Sequence, residues 1–220
     1  MHSRRAQLVA APGDSYEKRM RLRLAALIVL AAQPALAEPL PLPRVDYVAT
    51  GVLAGQGAVS IRHRQGKLRL EIDAVGLPQK ISGLIDLERR RLTMMVPVPG
   101  VKAAMETGLP EDGGFGAAAL EGKRIGSAVV AQEPCDLWET PTPRAEATMI
   151  TCITPDGINL RTELVRAGER QPVLEIRTLA REPQDPALFA LPADVRVMKA
   201  PAGLQALPGL APPPLRPSQP

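Results

Sequence analysis

Residues 67–73 read KLRLEID, and this stretch decides the fold class. Leu68, Leu70 and Ile72 alternate with charged residues, which places all three side chains on one side of an extended chain. Alternation with a period of two is typical of a β-strand that buries one face and exposes the other. The stretch therefore predicts a half-buried strand.

The same period continues on both sides of this strand. Val59 and Ile61 share a face in the run before it, and RQG at 64–66 supplies the turn between the two runs. Short strands separated by glycine-containing turns predict an antiparallel meander, so the predicted fold class is mainly β. Further runs of this kind are KISGLIDL (80–87), RRLTMMV (90–96), GINLRTELV (157–165) and VLEIRTL (173–179).

The segment 98–122 interrupts the meander with a sequence rich in glycine and alanine. It shows no period of two, and we expect one or two short helices or a mobile loop here. Long insertions in a compact sheet domain are often functional. The segment is therefore a candidate lid over the sheet.

The two cysteines, Cys135 and Cys152, are predicted to form a disulfide. If their strands turn between Pro143 and Arg144, the two residues lie directly opposite each other. Cα atoms at such a non-hydrogen-bonded position are about 4.5 Å apart, which a disulfide can bridge. A metal site would need three or four ligands, a redox pair is usually spaced C-x-x-C, and a nucleophilic cysteine needs an activating base.

His63 is the only histidine after residue 37, and it lies in the charged run RHRQGK at 62–67. We expect its side chain to be exposed to solvent. The sequence also has no glycine-rich phosphate loop, no G-x-S-x-G and no H-E-x-x-H motif. These patterns predict no catalytic residue, no metal site and no cofactor.

The N-terminal residues are typical of an export signal. In residues 20–37, Arg21 and Arg23 precede an apolar run that is shorter than the ~20 residues a membrane span requires. Small residues at Ala35 and Ala37 predict cleavage after Ala37. Residues 1–19 fit no part of a signal, and we interpret them as an upstream start assigned too early.

The positive charge of the chain belongs to this leader. The chain has 27 basic and 23 acidic residues, of which residues 1–37 hold six and two, so 21 of each remain. A neutral chain with few aromatic residues offers no basic patch for nucleic acid. We expect a Pro-rich linker at 38–43, one β domain at 44–199, and a Pro-rich disordered tail at 200–220, because proline-rich sequence cannot build a packed core.

Five segments in order carry a resemblance to a known family. The chain resembles the lipoprotein-carrier-like proteins of the bacterial periplasm, which are related to the LolA-like chaperones that sort outer-membrane lipoproteins, and it is most similar to a branch without an assigned function. The resemblance covers about residues 46–198. The segments are GKLRLEID (66–73), GLIDLERRRLTMMVP (83–97), CDLWET (135–140), GINLRTEL (157–164) and DPALFALPADVRV (185–197).

The resemblance implies a strongly curved antiparallel sheet, or half barrel, with one or a few short helices as a lid. Its concave side would form an apolar cavity, and the alternating strands supply apolar residues for such a lining. An apolar face without a second sheet needs cover from a lid or a ligand, because soluble proteins rarely expose large apolar patches. The candidate lining residues are Leu68, Leu70, Ile72, Ile85, Leu92, Met94, Leu160, Leu164 and Ile176.

Two functional hypotheses follow from these expectations. The first is non-catalytic binding of a lipid or an acylated lipoprotein in the periplasm, with at most peripheral membrane contact. The alternative is a structural or protein-interaction module of the cell envelope, without a ligand cavity and with a protein partner.

Overall fold

The computed structural model of the 220-residue chain describes residues 37–77, 79–95, 100–109, 121–142 and 147–199. Almost all regular structure in these ranges is β-strand, and a single short 3₁₀-helix, Pro186–Phe189, occurs among them. The strands in chain order are β1 Glu38–Pro39, β2 Tyr47–Leu53, β3 Gly57–Arg64, β4 Lys67–Ala74, β5 Ile81–Asp86, β6 Arg91–Met95, β7 Ala103–Gly108, β8 Glu121–Val130, β9 Glu133–Pro141, β10 Ala147–Ile153, β11 Asn159–Arg166, β12 Glu169–Ala180 and β13 Arg196–Lys199.

All the strands of the described ranges belong to one sheet, in the order β1-β8-β9-β10-β11-β12-β2-β3-β4-β5-β6-β7-β13. Neighbouring strands are antiparallel except β13, which runs parallel to β7 at one edge. The sheet is curved and does not close, because β1 and β13 form separate edges. The predicted fold class, a curved antiparallel sheet of the half-barrel type, is confirmed.

Two-residue turns join several neighbouring strands. Gln65 and Gly66 both have positive φ, as do Ala167 and Gly168. Two consecutive residues with positive φ form the turn whose twist matches that of paired strands, and glycine adopts this conformation without steric cost. The turn predicted from RQG is therefore explained by its glycine.

The main core gathers the apolar side chains of β2–β6, β11 and β12 into one cluster. Burying one leucine or isoleucine side chain contributes roughly 1.5–3 kcal/mol, so this cluster is the main source of stability. A smaller cluster joins Leu40 to Trp138 and Ile153. Glu38 and Pro39 pair with β8, so the start of the predicted linker lies against the sheet.

The expectation of helices or a loop at 98–122 is wrong for its described part. Residues 103–108 form β7, which pairs with β6 and β13. The sequence does not reveal this strand because AAMETG has no alternation of apolar and polar residues. Residues 96–99 and 110–120 lie outside the described residues, so the lid stays a prediction.

Other predictions also fall outside the described ranges. These are the upstream start at 1–19, the signal at 20–37 except its last residue, and the tail at 200–220. Within the described residues, no helix has the length and apolar composition that a membrane crossing requires.

Candidate ligand-binding face

The apolar face is the side of β2–β6 and β12 that carries Leu68, Leu70 and Ile72 of β4. Its residues form rows across the strands because the register aligns them side by side. One row contains Ala49, Ile61, Leu70, Gly83 and Met94; a second contains Tyr47, His63, Leu68, Ile85 and Leu92; a third contains Ile176, Gly51, Val59, Ile72 and Ile81.

Eight of the nine predicted lining residues are buried, and seven of these eight lie on β4, β5, β6 and β12 within the three rows or directly beside them. Leu160 of β11 belongs to the same core cluster. Leu164 is the exception: it is half-buried, lies opposite Gln171 and Met149, and does not belong to the cluster. A register shift between Thr162 and Glu163 separates it from the buried part of β11.

Gly83 lets a flexible side chain cross the apolar face. A Cβ atom at this position would lie 2.7 Å from Met94 Sδ, closer than such atoms approach each other. Met94 therefore lies flat over β5 and is itself buried. Its thioether side chain is unbranched and adapts to irregular space, which makes it the most adjustable residue of the face.

His63 belongs to the apolar face, and the expectation of a solvent-exposed histidine is wrong. Only 1 % of its surface is exposed, and its ring stacks on Tyr47 at a centroid distance of 5.5 Å. His63 is buried because it alternates with Arg62 and Arg64 along β3 and lies opposite Leu68. The two neighbouring arginines suggest that His63 is solvated. The alternation along β3, however, places its side chain on the apolar face of the sheet.

The ring nitrogens of His63 are both engaged by the backbone. Nδ1 lies 2.7 Å from the Val45 carbonyl oxygen, so Nδ1–H donates, and Nε2 accepts from the Gly66 N–H at 3.0 Å. Burial lowers the pKa of His63, although the Val45 hydrogen bond and the Asp46 charge act in the opposite direction. The imidazole is therefore neutral and has no nitrogen left for another molecule.

The cysteines form the predicted disulfide, with Cα atoms 5.5 Å apart. The predicted register is wrong by two residues, because Cys152 lies opposite Leu137 and not opposite Cys135. β10 ends at Ile153, and the Thr154 N–H then bonds to the Ile158 carbonyl. Because the chain leaves the ladder there, Cys135 bridges diagonally to Cys152. Residues 143–146, which include the predicted turn between Pro143 and Arg144, lie outside the described residues.

The polar face is the opposite side, which carries Arg69 and Glu71 of β4. The segment after β12 crosses this face on its way to β13 at the far edge. Arg64 Nη1 donates to the Gln184 carbonyl at 2.8 Å, and Arg69 Nη1 donates to the Leu188 carbonyl at 2.9 Å. The 3₁₀-helix within this segment thus packs on the polar face.

The sequence contains a signal for this crossing segment. Asp185 caps the 3₁₀-helix by accepting from the Ala187 N–H at 2.9 Å, and Pro186 occupies the first turn. Asp followed by Pro is a helix-start pattern. Arg64 and Arg69 on the polar face are the complementary signal. The crossing segment has backbone carbonyl oxygens that lie outside any strand pair, and these arginines donate to them.

Arg181 connects three segments of the chain by ion pairs. Its guanidinium donates to Asp156 Oδ2 at 2.6 Å and to both carboxylate oxygens of Glu133 at 3.0 Å. Burial alone would raise the pKa of Asp156, but hydrogen bonds from Arg181 and Thr154 hold that pKa below its ordinary value. The ion cluster links the end of β12 to the β8–β9 turn and the β10–β11 loop.

The comparison with solved structures supports the fold at low sequence identity. No family model and no curated protein matches the chain. An uncharacterized conserved protein from Thermus thermophilus is similar at a TM-score of 0.50 and 13% identity, over 71% of this chain and 91% of that chain. This likeness shows that a solved structure has the same fold.

Structures of MucB are also similar. The MucA/MucB complex of Pseudomonas aeruginosa gives a TM-score of 0.44 at 17% identity, over 67% of this chain and 56% of that chain. MucB in complex with MucA(peri) gives 0.43 at 16% identity, over 71% and 57%. This chain therefore spans little more than half the length of the MucB chains.

Proposed function

We propose that this chain is an exported, non-catalytic protein of the bacterial periplasm that binds a lipid or an acylated lipoprotein against its apolar face. In this proposal the chain is lipoprotein-carrier-like and the apolar face is the concave side. The observation that carries the proposal is the set of continuous apolar rows on one side of an unclosed sheet. Every strand of the described residues lies in that one sheet, so no separate sheet of these residues covers the rows.

The free energy of binding would come from burial of apolar surface, because removing this surface from water stabilises the complex in proportion to the area buried. Each buried CH₂ group contributes about 0.8 kcal/mol, which corresponds to roughly a fourfold gain in affinity. Met94 over Gly83 supplies a side chain that can move aside for an acyl chain. A ligand of this kind needs no charged partner on the face.

The disulfide supports the proposed location. Disulfides persist in oxidising compartments such as the bacterial periplasm and are rare in the cytosol. The Cys135–Cys152 bridge is well within the usual Cα separation. The export signal proposed for residues 20–37 leads to the same compartment.

His63 supports a non-catalytic role. General base catalysis requires a nitrogen within hydrogen-bond reach of the substrate. Both ring nitrogens of His63 already bond to the backbone, at Val45 and Gly66. The one histidine of the exported chain is thus a structural residue.

The test is the displacement of a fluorescent fatty-acyl probe by saturated fatty acids of increasing length. Affinity should rise about fourfold per CH₂ until the available space is filled. Met94→Ala should move this plateau to longer chains, because it removes a side chain from the face. Met95→Ala is the matched control, since Met95 is the adjacent residue on the opposite side of β6.

A protein that neither binds the probe nor yields lipid in native mass spectrometry would end the proposal. Identical plateaus in Met94→Ala and Met95→Ala would show that any acyl chain binds elsewhere.

A protein-interaction module of the envelope is the second candidate. The observation that favours it is the near-complete burial of the predicted lining residues in the chain without a ligand. A sheet whose apolar face is already covered needs no acyl chain. In this case, pull-down from an envelope extract should recover a protein partner, and truncation after Lys199 should show whether the Pro-rich tail holds it. An unchanged partner in the truncated chain would exclude the tail.

A further inference from the structure

The strap, residues 38–44 (EPLPLPR), lies in a groove of the sheet. Its anchor is Leu40, which is 5% exposed and packs against Trp138 and Ile153. Leu42, two residues further on, is 44% exposed. The strap therefore binds the groove through one of its two leucines.

Two glycines make room for the strap. A Cβ atom at Gly122 would lie 2.9 Å from Leu40 Cδ1, and one at Gly157 would lie 2.0 Å from the Leu42 carbonyl oxygen. Both distances are shorter than the approach of a real side chain allows. Any other residue at these two positions would collide with the strap as it lies, so the groove is shaped for an extended segment.

Few backbone hydrogen bonds hold the strap in this groove. Three of its seven residues are prolines, which have no N–H to donate. Its first two residues pair with β8, and the Arg44 N–H donates to the Asp156 carbonyl oxygen at 3.0 Å. Between these ends the anchor is the Leu40 side chain. Segments with so few bonds open at lower cost than the strands of a sheet.

Trp138 contributes a hydrogen-bond donor that the strap does not use. Its Nε1 is buried and has no hydrogen-bond partner within the described part of the chain. A buried N–H without an acceptor is destabilising. Proline-rich segments have backbone carbonyls without internal partners, and aromatic-lined grooves bind such segments. The groove thus has the chemistry to hold a proline-rich segment more completely than the strap fills it.

The chain contains a second segment of the same composition. The dipeptide Pro–Leu occurs at 39–40 and 41–42 in the strap and at 214–215 in the predicted Pro-rich tail, and nowhere else in the sequence. In the tail it follows two further prolines, at 212 and 213. The sequence therefore singles out the tail as an alternative occupant.

The tail is long enough to reach the groove. Residues 200–215 follow β13, and as an extended proline-rich segment they span about 50 Å at ~3.1 Å per residue. The sheet order places ten steps between β13 and β9, the strand of Trp138, which is about 48 Å at ~4.8 Å per step. Because the sheet is curved, the direct path is shorter than this.

We propose that the groove is a binding site for Pro–Leu segments, which the strap occupies in the structure and which the tail of the same chain occupies when the strap leaves. In this exchange Leu215 replaces Leu40 beside Trp138, and a tail carbonyl accepts from the indole N–H. The groove residues form a cluster separate from the main core, so this site does not depend on lipid binding at the apolar face.

The test uses the fluorescence of Trp138, the one tryptophan of the chain. A nitroxide attached to Ser218→Cys in the full chain lies three residues beyond Leu215 and should quench this fluorescence when the tail is in the groove. Cys135 and Cys152 are joined, so the new thiol alone takes the label.

Weakening the strap should shift the groove toward the tail. Leu40→Ala should weaken the strap roughly tenfold, because most of the anchoring side chain is lost, and quenching should increase accordingly. Adding Leu215→Ser should abolish the increase. Leu210→Ser is the matched control, since Leu210 is a tail leucine that follows glycine and not proline. Leu40→Val replaces Leu40→Ala if circular dichroism shows that the alanine variant does not fold.

Three outcomes would overturn the proposal. The first is an unchanged Trp138 emission in the labelled, folded strap variant. The second is equal quenching with Leu215→Ser and with Leu210→Ser, which would mean that the tail meets the groove without recognition of Pro–Leu. The third is quenching that grows with protein concentration, which would assign the tail of a second copy instead of the tail of the same chain.

Discussion

The half of the sheet built from β2–β6 and the half built from β8–β10 differ in how they are held together. In β2, β4, β5 and β6, buried residues occupy alternate positions, and the residues on this side of β2–β6 align in rows across the strands. In β10, residues 149–153 are buried without interruption, and a disulfide joins this strand to β9. Its outer neighbour β8 is largely exposed.

The comparison teaches that alternation of apolar and polar residues is sufficient to predict the buried face of a strand when the strands on both sides show the same alternation. The rows of β2–β6 are stabilised by apolar contacts on one face and ion pairs such as Arg69–Glu71 on the other. Next to the β8 edge, a covalent link between β9 and β10 adds to the apolar contacts, because Cys135 and Cys152 are themselves buried in the main core. The two halves should therefore respond differently to substitution.

The largest expected effect contrasts Ile72 with Ile125. Ile72 is fully buried in the rows, whereas Ile125 lies on the exposed edge. Ile72→Ala should lower the free energy of unfolding by about 3–4 kcal/mol, because it leaves a cavity that cannot fully collapse. Ile125→Ala should change it by less than about 0.5 kcal/mol.

Urea titration of both variants at low protein concentration measures the difference. Ile72→Val, with an expected loss of about 1 kcal/mol, serves if the alanine variant does not fold. Equal losses at the two positions would contradict the contrast between a packed half and an exposed edge.

Removal of the disulfide should give the next largest effect. Cys135→Ala with Cys152→Ala should lower the free energy of unfolding by about 3 kcal/mol, the chain-entropy value for a loop of this size. Wild-type protein in reductant should show the same loss. Hydrogen exchange should then rise in β9 and β10 and stay nearly unchanged in β3–β5. An equal rise in hydrogen exchange in all strands would mean that the disulfide does not stabilise the β8–β10 half in particular.

Sequence alone is enough for the regular half. Its alternation assigns Leu68, Leu70 and Ile72 to one face, and they lie on it in register with Ile85, Leu92 and Met94. The prediction for His63 is wrong because it weighs the charge of Arg62 and Arg64 above the period that links His63 to Ile61. A strict reading of alternation places this histidine in the core.

The edges cannot be read in this way. β7 and β8 lack alternation because one or both of their faces meet solvent, and burial is what produces the pattern. The offset of Cys135 and Cys152 depends on the register of β9 against β10, which no periodicity fixes. The role of a ligand is likewise invisible, because apolar residues that line a site and residues that fill a core have the same chemistry.

His63 gives the stability of the regular half a pH dependence. Burial lowers its pKa below the ordinary value of 6.5, so the unfolded chain binds a proton at higher pH than the folded chain. Its contribution to stability is therefore present above pH 6.5 and is lost as the pH falls through the folded-state pKa. The urea concentration at the midpoint of unfolding should therefore decrease as the pH is lowered through this range.

His63→Asn should remove this pH dependence while keeping a donor for the Val45 carbonyl. The acidic groups, including Asp156 with its lowered pKa, titrate further down and remain in both proteins as an internal reference. A variant that loses stability in the same window as the wild type would assign the proton uptake to another group.

The smallest effect concerns the β8–β9 turn, where the backbone next to the exposed β8 edge is locally strained. Ala131 and Gln132 have φ values of 52° and 65°, a conformation that costs a non-glycine residue roughly 1 kcal/mol. The corresponding turns at Gln65–Gly66 and Ala167–Gly168 have glycine in second place. Gln132→Gly should therefore raise the free energy of unfolding by a few tenths to about 1 kcal/mol, even though glycine increases the entropy of the unfolded chain.

Gln132→Ala separates backbone strain from loss of the glutamine side chain, because alanine keeps the strained conformation. If strain is the cause, only the glycine variant gains stability, and the gain is absent from Ala167→Ser in a turn that already contains glycine. Equal gains in Gln132→Gly and Gln132→Ala would instead attribute the effect to the side chain. In that case the turn at the exposed edge is no more strained than the turns of the regular half.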